Sequence, residues 1–193
     1  MNMKYLFIIF AMLLTAAAPV RERGKWIIDY NSQLLIHGKT NVNSFTCFIS
    51  CYNNIDTLNY ELDSKSKALV FEANKMIIPM FNFNCGNPMI TKDFRTTVIA
   101  NKYPYLNIVF VSLDKNRDEG KAVAKLQISL AGVVKSITVD FLLKPKGDFL
   151  NLTGKHVVHF SDFGLKAPKR MMGMVKVQEE LNVEFNLLLK PVL

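Results

Sequence analysis

From Leu181 to Leu189 every second residue is apolar: Leu181, Val183, Phe185, Leu187 and Leu189, with Asn182, Glu184 and Asn186 between them. A period of two turns one side of an extended chain into a dry interior and the other toward water. The same alternation recurs at Leu126, Ile128 and Leu130 around Gln127 and Ser129, and at Ile137, Val139 and Phe141 around Thr138 and Asp140. A chain patterned in this way builds one curved antiparallel sheet around an apolar interior. The expected fold class is therefore all-β, and the contents of that interior become the functional question.

Shorter extended segments precede these. Trp26 to Tyr30 ends in the turn-prone Asn31 and Ser32, and a second strand runs from Leu34 to about Val42. Phe45 to Asn53 follows, with Phe45, Cys47, Ile49 and Cys51 on one face, and then come Leu58 to Leu62 and Leu69 to Ala73. Together they read as a meander of short strands. The pattern breaks once, over Asn87 to Asn101, where Ile90, Phe94 and Val98 recur every fourth residue, Pro88 suits the first helical position and Asn87 the cap. One amphipathic helix is expected there. Tyr103 and Pro104 close it, Tyr105 to Leu113 forms the next strand, and Asp114 to Gly120 is a charged turn. Further strands lie around Leu126, Val139 and Val157. Of the architectures open to such a chain, an outer-membrane barrel would put its apolar face outward behind aromatic girdles, which this sequence lacks. A soluble barrel of about eight strands, with room for one small ligand, is preferred over a sandwich.

The amino terminus carries a short basic start (Met1 to Lys4), an apolar run (Tyr5 to Leu14) and the small residues Thr15 to Ala18, the layout of a secretory signal peptide. The apolar run is shorter than the roughly 20 residues that span a bilayer. Residues 1–17 are expected to be removed, leaving a single domain, 18–193, in the periplasm or outside the cell. Removal takes away Lys4 and no acidic residue, lowering the formal charge from +8 to +7. The remaining cations are dispersed: Lys65 and Lys67, Lys144 and Lys146, and Lys166, Lys169 and Arg170 are placed in separate turns or loops. Dispersed charge reads as a solvated surface without a nucleic-acid role.

Three cysteines, Cys47, Cys51 and Cys85, would meet an oxidising compartment. On one strand Cys47 and Cys51 stand about 13 Å apart, too far to bridge. Two alternatives stay open: a disulfide from Cys85 to Cys47 or Cys51, and buried free thiols. No CxxC spacing or flanking His supports a metal. His156 and His159 would face opposite sides of a strand, and His37 stands alone. Ser161 and Asp162 beside His159 lack the geometry of a hydrolytic triad, and no Gly-x-Ser-x-Gly elbow is present. Glu179 and Glu180 read as the edge of a turn. No catalytic residue, metal or cofactor is expected.

The sequence does supply an adaptable apolar interior, with fourteen Phe and nine Met. Met76, Met80, Phe81, Phe83, Met89, Phe94 and Val98 gather around the helix and are candidates for the entrance to a cavity. Phe110, Val139, Phe141, Leu143, Phe163 and Phe185 are candidates for its wall. Each taken singly also reads as core filling. Met171, Met172 and Met174 follow Lys166, Lys169 and Arg170, a combination suited to transient contact with a membrane surface or acidic headgroup, and equally to an ordinary connecting loop.

Several segments in order, Trp26-Ile-Ile-Asp29, Leu34-Leu-Ile-His-Gly-Lys-Thr-Asn-Val-Asn-Ser-Phe45, Phe83-Asn-Cys-Gly86, Met89-Ile-Thr-Lys-Asp-Phe94, Tyr103-Pro-Tyr-Leu-Asn-Ile108, Ser161-Asp-Phe-Gly-Leu165 and Gly173-Met-Val-Lys-Val177, resemble the YceI-like family of secreted, lipocalin-like proteins. The resemblance implies an antiparallel barrel with a helix near one mouth and a long isoprenoid or other lipid-like molecule in the lumen. The expected function is non-enzymatic sequestration or transport of an amphiphile such as an isoprenoid, quinone or fatty derivative. The alternatives are a packed structural or stress-related envelope protein with a surface partner and a lipid-modifying enzyme. Fold alone does not choose among them, and the sequence leaves the oligomeric state open.

Overall fold

In the computed structural model the chain is described over residues 22–49, 52, 54–72, 74–115 and 120–192. The leader proposed at 1–17 and Cys51 lie outside these residues. Among the described residues twelve strands form one antiparallel sheet system: β1 (Arg23–Ile28), β2 (Gln33–Thr40), β3 (Ser44–Ile49), β4 (Thr57–Leu62), β5 (Leu69–Phe71), β6 (Lys75–Pro79), β7 (Tyr105–Lys115), β8 (Lys121–Leu130), β9 (Val133–Lys146), β10 (Phe149–His159), β11 (Lys169–Arg170) and β12 (Val175–Val192). The one α-helix among the described residues, α1 (Pro88–Thr97), stands between β6 and β7.

The long last strand organises the molecule. The carboxyl end of β12 pairs with β1 (Ile28 opposite Leu189), and its middle pairs with β2 (Ile36 opposite Val183). Eight strands, β1, β4, β5, β7, β8, β9, β10 and β12, close a ring. Toward the other end, β2 and β3 branch from β12 and β6 branches from β7. That second end has a seam between β3 and the chain after β6. The seam is closed by paired backbone hydrogen bonds between Phe48 and Asn84 and by a disulfide from Cys47 to Cys85. Of the open alternatives for the cysteines, this pairing is the one formed.

Local chemistry explains the helix. The Asn87 side chain accepts hydrogen bonds from the backbone N–H groups of Met89 and Ile90, Pro88 occupies the first turn, and Ile99 enters the left-handed region with φ 54°. The helix thus stops at Thr97 rather than at Asn101. Thr91 anchors it to the seam: its hydroxyl donates to the Asn87 carbonyl at 2.9 Å and accepts the Cys85 N–H at 3.0 Å.

Several expectations need correction. Lys75–Pro79 is a strand, β6, paired with β7 (Ile78 opposite Leu106), in a stretch expected only to border the helix. Lys144 and Lys146 lie in β9 and Lys169 and Arg170 in β11, because pairing continues to the tight turn at Gly147 and through Lys169 opposite Lys176. Glu179 and Glu180 sit within β12, where the register with β2 shifts between Val177 and Leu181. A bulge accommodates extra residues without ending the strand.

The closed end of the barrel is solid. Trp26 packs on Tyr60 with ring centroids 4.8 Å apart, Trp26 and Phe71 are 6.0 Å apart, and Phe71 meets Phe110 at 5.8 Å. Across the barrel Phe141 meets Phe185 edge to face at 5.9 Å. Small neighbours admit these rings. Ala122 lies opposite Phe141, and a Cβ at Gly154 would come 2.9 Å from the Phe141 ring and 2.8 Å from the Asp140 carbonyl. Each aromatic side chain buried here contributes about 1.5–3 kcal/mol, with additional edge-to-face attraction.

Candidate ligand cavity

Above the aromatic floor the barrel is hollow. A deep cavity of about 60 Å³ is walled by Leu34 and Ile36 of β2, Leu106 and Ile108 of β7, Ile128 of β8 and Val183 of β12, among others. On the same scale a single water takes about 10–15 Å³. Phe185 and Met80 close it below and beside the helix, and Phe160, Phe163 and Leu165 enter from the turn after β10. Its surface is apolar throughout; His159 stands at the edge without presenting a polar atom. Such a wall gives water no hydrogen bonds and favours an apolar occupant.

A second, larger cavity of about 420 Å³ lies at the mouth, between α1, the β2–β3 turn and β11. Ile36, Phe94, Phe160 and Leu181 line both spaces, so deep chamber and mouth share a wall of four side chains. The mouth contains the polar groups that the deep chamber lacks. Thr40, Asn43, Asp93 and Arg170 line it, and Arg170 forms an ion pair with Asp93, its Nε donating to Oδ2 at 2.6 Å. This pair ties α1 to β11 across the opening. Gly38 shapes the rim, since a Cβ there would strike the Phe45 ring at 2.2 Å, and Phe45 folds over β2 to line the mouth.

The residues singled out in the sequence are distributed over three levels. Met80, Phe94, Val98, Phe163 and Phe185 line the deep chamber, and Met89 lines the mouth. Phe110, Val139 and Phe141 are buried in the solid half and Leu143 packs beside it, none lining either cavity. Phe83 is fully buried behind the helix, its ring 5.2 Å from that of Phe94. Phe81 faces outward, 47% exposed, under the Arg95 guanidinium. The Arg95 Nη2 also donates to the Phe81 carbonyl at 2.6 Å, which holds Phe81 away from the lumen. The sequence marks neither the chamber-lining role of the aliphatic strand residues nor the pairing of Asp93 with Arg170.

Several other polar groups have structural partners. His37 Nδ1 lies 3.0 Å from the Thr46 hydroxyl and its Nε2 3.7 Å from Glu184. The His159 backbone N–H donates to Asp162 at 2.8 Å, which holds that carboxyl below its ordinary range. The Ser161 N–H donates to Glu179, not to a catalytic partner. Buried Tyr52 donates its hydroxyl to Asp56, and burial followed by that carboxylate pushes the phenol well above its usual range. Among the described residues no group of three or more His, Cys, Asp or Glu is placed to hold a metal ion.

Comparison with known proteins agrees with this fold. The YceI-like domain profile matches residues 39–189. Among solved structures, BcnA of Burkholderia cenocepacia superimposes with a TM-score of 0.62 at 17% identity, covering 81% of this chain and 95% of that one. A polyisoprenoid-binding domain from Saccharophagus degradans, implicated in plant cell wall breakdown, gives 0.56 at 10% identity, covering 86% and 98%. The Campylobacter jejuni YceI protein gives 0.53 at 15% identity, covering 78% and 82%. No curated protein matches the sequence significantly.

Proposed function

The chain belongs to the YceI-like domain family, and from that premise we propose that it is a non-enzymatic carrier which sequesters an amphiphile, with the apolar tail in the deep chamber and the polar head at the mouth. The observation that carries this reading is the adjoining pair of cavities, apolar below and bearing Thr40, Asn43, Asp93 and Arg170 above. Burying a tail is worth about 0.8 kcal/mol per methylene. Orientation and specificity then come from the few polar groups at the rim. The description of the Saccharophagus domain as polyisoprenoid-binding supports a cargo of the same broad class, an isoprenoid, quinone or fatty derivative. We place the carrier in the periplasm or outside the cell on the basis of the leader-like residues 1–17.

Mass spectrometry of the protein purified from its native envelope and extracted under denaturing conditions tests the reading. A stoichiometric long-tailed lipid is the expected result. Protein that is free of lipid and also fails to take up a fluorescent fatty-acid probe would overturn it and favour a barrel acting through its outer surface.

A further inference from the structure

We propose that the rim of the mouth docks onto the surface of an anionic lipid bilayer. Four segments converge at this rim: the β2–β3 turn, α1, β11 and the start of β12. The β2–β3 turn is fixed to the start of β12, with the Asn41 amide donating to the Met174 carbonyl at 2.8 Å and its oxygen accepting the Lys176 N–H at 2.9 Å. The Asp93–Arg170 pair fixes α1 to β11. Met89 and Met171 line the opening itself, and Val42, Met174 and the fully exposed Met172 stand on the same tethered segments, the first four each 65–68% exposed. Exposed apolar side chains gathered in this way signal a surface of interaction.

Two features favour lipid as the occupant. Met171 and Met172 are successive residues in the left-handed region, φ 51° and 54°, which side-chain-bearing residues rarely adopt. The turn thus holds two methionines outward without burying them, an arrangement that gains only when something apolar receives them. The second feature is charge. Lys169 lies directly opposite Lys176, a like-charged cross-strand pair; exposed Lys166 precedes it by three residues, and exposed Lys92 is next to Asp93, the partner of Arg170. Directly opposed like charges destabilise a sheet, and an anionic headgroup layer removes the repulsion. Asp93, the one carboxylate among the described residues lining the mouth, is already taken by Arg170. Thioether side chains suit an irregular acyl boundary. A membrane held at this rim faces the opening of the lumen.

The test is flotation of the full mature protein with vesicles of phosphatidylglycerol and phosphatidylcholine or of phosphatidylcholine alone. Co-flotation with the anionic vesicles, release by high salt and little binding to the neutral ones are expected. Lys169→Gln with Lys176→Gln should weaken partitioning about five-fold per lysine, and Met172→Ser with Met174→Ser should abolish it. Lys144→Gln with Lys146→Gln, at the far end of β9, should leave binding unchanged. Protection of residues 169–176 from hydrogen exchange by vesicles provides a readout that needs no variant. Absence of flotation with anionic vesicles, equal flotation of the rim variants, or equal loss in the far-end variant would overturn the proposal. Uptake of a soluble short-chain fluorescent fatty acid, measured without vesicles, should survive in all three variants. Loss of that uptake in the unaltered protein would count against the carrier reading and leave vesicle docking separately measurable.

Discussion

Reducing the Cys47–Cys85 bond should cost the protein a substantial part of its stability, and the topology allows the amount to be worked out. The bond joins residues 38 positions apart and therefore closes a loop of that size in the unfolded chain. The chain-entropy relation gives a loss of about 13 cal/mol/K, or about 4 kcal/mol at 25 °C. For a domain of this length such a change lowers Tm by roughly 8–16 °C. The comparison to make is oxidised against reduced protein in a Cys51→Ser background, by thermal and denaturant unfolding followed by circular dichroism. Reduction keeps both sulfur atoms in place, so loop entropy is separated from the cavity that a Cys47→Ala substitution would leave. Loosening should concentrate at the β3 seam, where the Phe48–Asn84 bridge would hold the edge alone, while exchange at β1 and β4 over the aromatic floor stays slow. A reduced protein within about 1 kcal/mol of the oxidised one would refute the entropic argument.

Other outcomes follow from the levels of the barrel. Val183→Trp should fill the deep chamber and abolish uptake of a fluorescent fatty acid with the sheet spectrum unchanged, at an overpacking cost of about 1–3 kcal/mol; retained uptake would remove Val183 from the wall. Val139→Trp, set in the solid half opposite Ala124, should instead fail to fold or unfold at much lower temperature, measured by thermal scanning. Arg170→Gln should change stability by under about 1 kcal/mol, since the pair is partly exposed, yet speed release of a bound probe in stopped-flow experiments by freeing α1 from β11. Tyr52 has a phenol whose folded pKa is raised above its unfolded value, so its contribution is complete below about pH 10 and is lost as pH rises through the folded value. Tm should fall above pH 10, less steeply in Tyr52→Phe than in the parent; parallel curves would contradict this assignment.

Alternation made the strands visible because side chains in a sheet report which face they occupy. The same signal does not report height along the barrel. Ile128 and Ala124 share the inner face of β8, yet Ile128 walls the chamber whereas Ala124 packs in the solid half opposite Val139. For this reason Phe110, Val139 and Phe141 appeared equivalent to Phe185 in the sequence, although only Phe185 reaches the lumen. The helix was legible from its cap and four-residue spacing, and Phe94 and Val98 fall where that spacing puts them. β6 was obscured because Lys75-Met-Ile-Ile-Pro79 is short and its apolar run lacks alternation. The Asp93–Arg170 pair, 77 residues apart in sequence, depends on tertiary closure and leaves no local pattern.

The boundary between hollow and filled halves acts as a ruler. Because of the bulge in β12, depth is better taken from its partner: from Thr40, opposite Val177 at the mouth, to Leu34, opposite Phe185 at the floor, β2 advances six residues, roughly 20 Å of strand and, at the tilt usual for barrels, roughly 15 Å of depth. A tail shorter than this leaves apolar wall unmatched, and a longer one has to double back or remain partly outside. On the carrier reading, chain length would be discriminated without any directional contact to the tail, by a gauge whose zero is set by the edge-to-face rings of Phe141 and Phe185.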